Sequence, residues 1–505
     1  MSKNIRRQSI ISSVVIYSGF LVGLLNTYFF TKETYFTPEQ YGLISTFVAV
    51  ASLIATLSNL AMPAYIYKFF PYYNDHLKTT KNDMLTWALV VGLIGFVVVT
   101  AIGIFFESLV TRKYGTHSQL FVTYYYWVYP LSFGLTLYNI LEAYTWGLQR
   151  SVLTNFLKEV EWRLFTSILI VFFIFKIIPN FDVFIKLYAF TYPGIAITLL
   201  VYLFASGNVS LTFSPSKVTR RLLKTILRFC AYMYGGSIVF TLSLVFDTMV
   251  IASVLPNGLE KAAIFGLAQI LTSIIQAPQR SIVAASIPHL SQAWKDKKTD
   301  VLQSIYQRSS INLLIFASVI FVLITLNYQQ AIEVLGLNKD YALGFSAFIF
   351  LGLTKVVDLG TGVNSQIIGT STRWRFELTS GVMLLLLILP LTYFFTKKYD
   401  ILGPAIASLV STTIYNTLRI LFLWKNFRLF PFTAASVYTL VLALSVFGIT
   451  WFLFGSTTGW TGLFLRTGLA LFLFGSGIIL LKLTPDLRPV LQTIQKKILR
   501  KKSNP

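Results

Sequence analysis

Lys355 and Asp358 stand three residues apart inside one long apolar run, and Asp247 sits in the middle of another. A charge deep in hydrocarbon costs at least about 2.5–3.5 kcal/mol on insertion scales, so each of these needs a role that offsets it. Two chemistries fit Asp247: a cavity carboxylate that holds a cation or proton or orients a basic group, or one half of an ion pair with a neighbouring helix. Lys355 and Asp358 share a helix face. They either neutralise each other or leave Lys355 facing an anionic substrate while Asp358 is released or protonated. Arg228 and Arg280 fall at the ends of apolar runs, as topology anchors or as guanidinium forks able to grip phosphate. Asn26, Asn59 and Asn139 suit hydrogen bonds between helices, with substrate contact, Asn26 first, as the alternative. Glu142 and Glu161 read as solvated at the inner surface. His76, His117 and His289 have no metal-ligand spacing, and Cys230 is the only cysteine, so neither a metal centre nor an intrachain disulfide is expected.

The elements that position these residues follow from composition. The chain of 505 residues is 55% hydrophobic and 12% charged, with a mean hydropathy of +0.68. A soluble protein of this length carries about a quarter charged residues. Apolar runs long enough to span a bilayer occur at roughly 10–31, 41–66, 84–106, 119–147, 152–176, 183–205 and 227–253. Seven more fall at roughly 262–284, 309–327, 341–368, 376–395, 401–424, 433–455 and 462–482. The pattern predicts an all-α polytopic membrane protein of about fourteen transmembrane helices; alternation typical of a β-barrel is not evident. The first run is too long for a signal peptide and reads as an uncleaved helix. Lysine and arginine favour one side of these spans by roughly three to one, which makes both termini cytoplasmic. The net charge of +23 belongs to those inner loops beside anionic headgroups and not to nucleic acid. Lys355 is the only basic residue read as deep within a span.

A loose internal repeat divides the chain. Tyr41-Gly42 and Pro63 are echoed by Phe265-Gly266 and Pro288 about 224 positions later, and Gly147 by Gly369. Six spans separate equivalent points, so the halves share one orientation. The predicted organisation is a six-helix bundle over 1–206, a cytoplasmic linker over 207–226 and a second six-helix bundle over 227–428. Two extra helices over 429–483 and a basic cytoplasmic tail over 484–505 complete it. Gly19 and Gly23 in the first helix permit close helix approach.

These features together are similar to a known pattern. Tyr41-Gly42 after Thr37-Pro38-Glu39, the stretch from Asp247 to Ala252, and Ala263 through Phe265-Gly266 to Ala268, with Pro63 and Pro288, carry the likeness. They resemble the polysaccharide-export branch of the multidrug/oligosaccharidyl-lipid/polysaccharide (MOP) flippase superfamily. The resemblance implies a non-enzymatic flippase of the cytoplasmic (inner) membrane. It would move an oligosaccharide linked to undecaprenyl pyrophosphate to the outer leaflet, for lipopolysaccharide or another polysaccharide. It further implies a cationic cavity and alternating access, no cofactor, return driven by sodium or protons, and partners among membrane lipids and polysaccharide-assembly proteins. In related lipid flippases the last two helices form a groove for the lipid tail, a role open here to the uncharged stretch from Trp451 to Leu465. On these expectations Lys355, Arg228, Arg280 and Asn26 contact substrate, and Asp247 and Asp358 are ion-coupling or cavity carboxylates. A drug exporter of the same superfamily is the first rival. A membrane glycan polymerase or glycosyltransferase is the second, disfavoured by short outer loops.

Overall fold

The computed structural model describes residues 3–486 except 208 and 210. Of the predicted basic tail, 487–505 lies outside the described residues. The described residues fold as helices and turns without a β-sheet. All fourteen predicted runs are helical. Among the described residues, twelve helices are long and apolar enough to cross a membrane by length and composition alone. The remaining two predicted spans also form, but each is broken or polar: 119–147 contains a 3₁₀ turn at Tyr125–Trp127, and 152–176 a π-helical turn at Leu157–Glu161.

Two compact units divide between Ala263 and Ile264. The first holds α1 (Lys3–Thr31), α2 (Pro38–Ser58), α3 (Met62–His76), α4 (Met84–Phe105), α5 (Glu107–Tyr114) and α6 (Gln119–Thr123). Next come α7 (Val128–Gly147), α8 (Ser151–Phe156), α9 (Trp162–Ile174), α10 (Phe181–Tyr188), α11 (Thr191–Ala205) and the 38-residue α12 (Lys217–Val254). Helix α13 (Gly258–Gln276) carries the chain into the second unit. That unit continues with α14 (Gln279–Lys295), α15 (Thr299–Val334), α16 (Phe345–Gly360), α17 (Asn364–Thr370), α18 (Arg375–Tyr399), α19 (Leu402–Phe427), α20 (Ala434–Phe454) and α21 (Gly459–Leu480).

The boundary between units differs from the linker expected at 207–226. Hydropathy grouped the span at 227–253 with the second bundle, whereas α12 packs along α2 and α3 in the first unit. Hydrogen bonds fix it there at three levels. Midway, Tyr234 Oη donates to the Leu57 carbonyl at 2.9 Å, and the Thr56 and Thr241 hydroxyls are bonded at 2.9 Å. At its far end Ser118 Oγ donates to the Ala252 carbonyl at 2.5 Å, and Gly258 N to the His117 carbonyl at 2.8 Å. At its start Ser216 caps the helix by accepting from Thr219 N at 3.1 Å. Asp83, itself fully buried, accepts there from Ser216 N at 2.8 Å and from Thr219 Oγ1 at 2.7 Å. Because the Thr219 proton goes to Asp83, Tyr73 Oη donates to Thr219 at 2.7 Å, and Tyr65 Oη donates to Tyr73 at 2.8 Å. Removing one partner of such a chain leaves buried donors unpaired, at about 1–3 kcal/mol each. Asp83→Ala is therefore expected to lower the thermal unfolding temperature in detergent, and Asp83→Asn, which keeps an acceptor oxygen, to lower it less.

Close backbone approach explains two of the glycines. A Cβ on Gly19 would lie 2.2 Å from the Glu159 carbonyl oxygen, so the glycine stripe of α1 seats the π turn. A Cβ on Gly42 would lie 1.7 Å from the Leu259 carbonyl oxygen. Pro63 falls in the first turn of α3, after a break at Leu60 and Ala61 with positive φ, where its missing N–H costs nothing. Pro288, by contrast, lies inside α14.

Candidate functional site

In the second unit α16, α17 and α19 converge on a polar pocket of about 280 Å³. Lys355 and Asp358 of α16 both line it. The two do not neutralise each other directly: each is held by a different helix. Lys355 Nζ donates to Gln276 Oε1 of α13 at 2.9 Å, and Gln276 Nε2 donates in turn to Gln279 Oε1 at 2.9 Å. Asp358 Oδ1 accepts from Asn416 Nδ2 of α19 at 3.0 Å. The network continues through Asn416 Oδ1, which accepts from Asn364 Nδ2 at 3.0 Å.

It ends on Arg419, one turn after Asn416 and only 3% exposed. Arg419 Nη2 donates to Glu377 Oε1 of α18, Nε to Ser380 Oγ at 3.2 Å and Nη1 to Asn364 Oδ1 at 3.5 Å. Its guanidinium also lies 4.0 Å from the Tyr415 ring centroid, a cation–π contact. Glu377 Oε1 accepts a further bond from Ser365 Oγ at 2.7 Å. Helices whose outer faces are apolar thus turn a connected set of charged and amide side chains inward, the arrangement expected of a polar path through a bilayer.

The first unit carries a second polar cluster. The π turn Leu157–Glu161 brings Lys158 to Glu142 at 3.3 Å, while Arg163 pairs with Glu159 at 2.5 Å. Glu142 is 7% exposed, which corrects the expectation that it is solvated: the π turn covers it and supplies its cation. Glu161 is half-buried and accepts from Thr198 Oγ1 at 3.0 Å. π turns recur at functional sites because they re-aim side chains. Among the described residues no group of three histidine, cysteine or carboxylate side chains is placed to hold a metal.

The sequence-derived candidates scatter across both units. Lys355 and Asp358 meet in the pocket described above. Asp247 is half-buried about two turns before the end of α12, in the first unit. Arg228, on α12, and Arg280, on α14, are both exposed. Asn26 is buried, donating to the Arg163 carbonyl at 2.9 Å and accepting from Ser167 Oγ at 2.7 Å, so both ends of its amide are spent between α1 and α9. Asn59 accepts from Ala61 N at 3.0 Å and steadies the break before α3.

Sequence reasoning missed Arg419, Glu377, Asn364 and Asn416. Lys355 is also not the only basic residue deep within a span. Arg419 lies within the apolar run 401–424, one turn beyond Asn416, and that pairing is the available signal. Arg466 of α21 is likewise only 3% exposed, and its Nε and Nη2 atoms find no partner among the described residues.

Comparison with known proteins bears on this arrangement. The lipid II flippase MurJ in an inward closed conformation superposes with a TM-score of 0.72 at 13% identity, covering 94% of this chain and 99% of its own. An inward-facing multidrug resistance MATE transporter of the MOP superfamily gives 0.64 at 15%, covering 83% and 98%. A MOP superfamily transporter from Pyrococcus furiosus gives 0.54 at 15%, covering 83% and 95%. No curated protein matches the chain by sequence. The matched structures are flippases and transporters, not enzymes, and at these identities they establish a shared fold. A family model described as "Polysaccharide biosynthesis protein" matches residues 5–294, more than half the chain. The chain therefore belongs to the polysaccharide biosynthesis protein family, with the fold of the MOP superfamily.

Proposed function

We propose that this protein is a flippase that carries a lipid-linked oligosaccharide, on a polyprenyl pyrophosphate of the undecaprenyl type, across the cytoplasmic membrane to its outer leaflet. The observation that carries the reading is the polar pocket to which Lys355, Asp358 and Arg419 contribute from helices apolar enough to span. A polar head cannot cross hydrocarbon unaided, whereas its tail can stay in lipid. Membership in a polysaccharide biosynthesis family supports a glycan as the head. The wider coverage by the lipid flippase than by the multidrug transporter supports a lipid-linked cargo.

In this reading transport proceeds by alternating access. Both termini are cytoplasmic, coupling to sodium or protons runs through Asp247 or Asp358, and polysaccharide-assembly proteins receive the product. The MATE likeness favours a drug exporter as the second reading.

Proteoliposomes loaded with a fluorescent polyprenyl-pyrophosphate oligosaccharide and an impermeant quencher separate the two. The flippase reading expects protein-dependent movement of the glycolipid. Efflux of a cationic dye without glycolipid movement overturns it. Lys355→Ala and Asp247→Asn are each expected to insert normally yet cut transport about tenfold, the worth of one hydrogen bond to a charged group. Wild-type transport by both variants would remove these two residues from the mechanism.

A further inference from the structure

We infer that the pocket of the second unit takes an uncharged sugar residue of the head group, and that the phosphates are held elsewhere. The inference rests on the flippase reading and concerns which part of the cargo this site recognises. Its argument is charge balance. The cations Lys355 and Arg419 are matched by Asp358, in the pocket wall, and Glu377, bonded to Arg419. The group as a whole carries no net formal charge.

Nor are the cations free to turn. Three of the five Arg419 N–H groups already donate, to Glu377, Ser380 and Asn364, and its flat face covers Tyr415. Lys355 is held by Gln276. A pyrophosphate would have to compete with these acceptors, and with Asp358 and Glu377, for both cations. Placed here it would meet the Asp358 carboxylate in the wall, with Glu377 behind Arg419, in a medium of low dielectric constant where like charges repel strongly.

What remains of the wall is neutral and, Leu384 and Gly362 apart, carries hydrogen-bonding side chains, among them Gln279, Gln366, Thr412 and Tyr415. Amides and hydroxyls both donate and accept, as sugar hydroxyls do. The cavity of about 280 Å³ lies at the small end of ligand sites, roughly 300–1,000 Å³. That leaves room for a single sugar unit and excludes a whole oligosaccharide.

The test uses the full-length protein in nanodiscs, with Cys230→Ser removing the native thiol and Gln366→Cys placing a reporter in the pocket wall. Alkylation by a neutral maleimide is timed with N-acetylglucosamine, galactose, glucose or inorganic pyrophosphate present. At least one sugar is expected to slow labelling threefold or more, pyrophosphate to leave it unchanged, and Thr412→Val to abolish the protection. Protection by pyrophosphate equal to or greater than that by the sugars overturns the inference, and so does protection by none of the four. The proteoliposome assay keeps the two readings apart. Glycolipid movement without sugar protection defeats only this inference. Sugar protection without glycolipid movement defeats the flippase reading.

Discussion

Arg419→Ala is expected to destabilise the second unit by about 3–5 kcal/mol, the cost of breaking a buried ion pair from one side. The guanidinium is 3% exposed, and its loss strands Glu377, whose Oε2 is already buried without a partner among the described residues. Ser380 and Asn364 lose a donor in the same stroke. A fall in the thermal unfolding temperature of the purified protein reports the effect. Arg419→Lys is expected to rescue little, because a point charge cannot serve three directions at once.

The informative comparison is the double variant Arg419→Met with Glu377→Gln. It removes both charges and is expected to recover much of the stability, since replacing a buried pair by uncharged groups is often close to neutral. Transport is not expected to return, because Asn364 and Tyr415 lose the group that orients them. A double variant that transports normally would make the pair a packing device and nothing more.

The second large effect is expected at Gly42→Ala. A single added carbon would lie 1.7 Å from the Leu259 carbonyl oxygen and 2.4 Å from its carbon. The obstacle is backbone and cannot rotate away, so the cost should reach or exceed the 1–3 kcal/mol typical of overpacking. Gly448→Ala in α20 is the matched control: no atom lies within 4 Å of its added carbon. There the exchange should gain about 0.5–1 kcal/mol from helix propensity. Equal unfolding temperatures for the two variants would contradict the close approach of α2 to the start of α13.

Much of this architecture could be read before any coordinates. The runs became helices because an apolar stretch in lipid must satisfy its backbone hydrogen bonds within itself. The assignment of α12 was not legible. Hydropathy records where a helix crosses but not which neighbour it packs on, and the deciding bonds, such as Asp83 to Thr219, join residues 136 positions apart. The pocket was half legible. Lys355 and Asp358 stood out because isolated charges in apolar runs are rare, while their partners Gln276 and Asn416 are neutral and carry no such signal. Arg419 was hidden by its position near the end of a run, where a basic residue normally marks the cytoplasmic side. The glycines at 19 and 42 were visible, but only the carbonyls facing them explain why a side chain is excluded.

The π turn before α9 sets the phase of everything that follows it. Each residue advances an α-helix by about 100°, so one residue more or less in that turn rotates the whole downstream face. Arg163 and Ser167, which meet Asn26, owe their direction to that count. Among proteins sharing this fold, the number of residues between Glu142 and Arg163 should thus tolerate less change than their identities. A one-residue deletion there would act on residues it never touches.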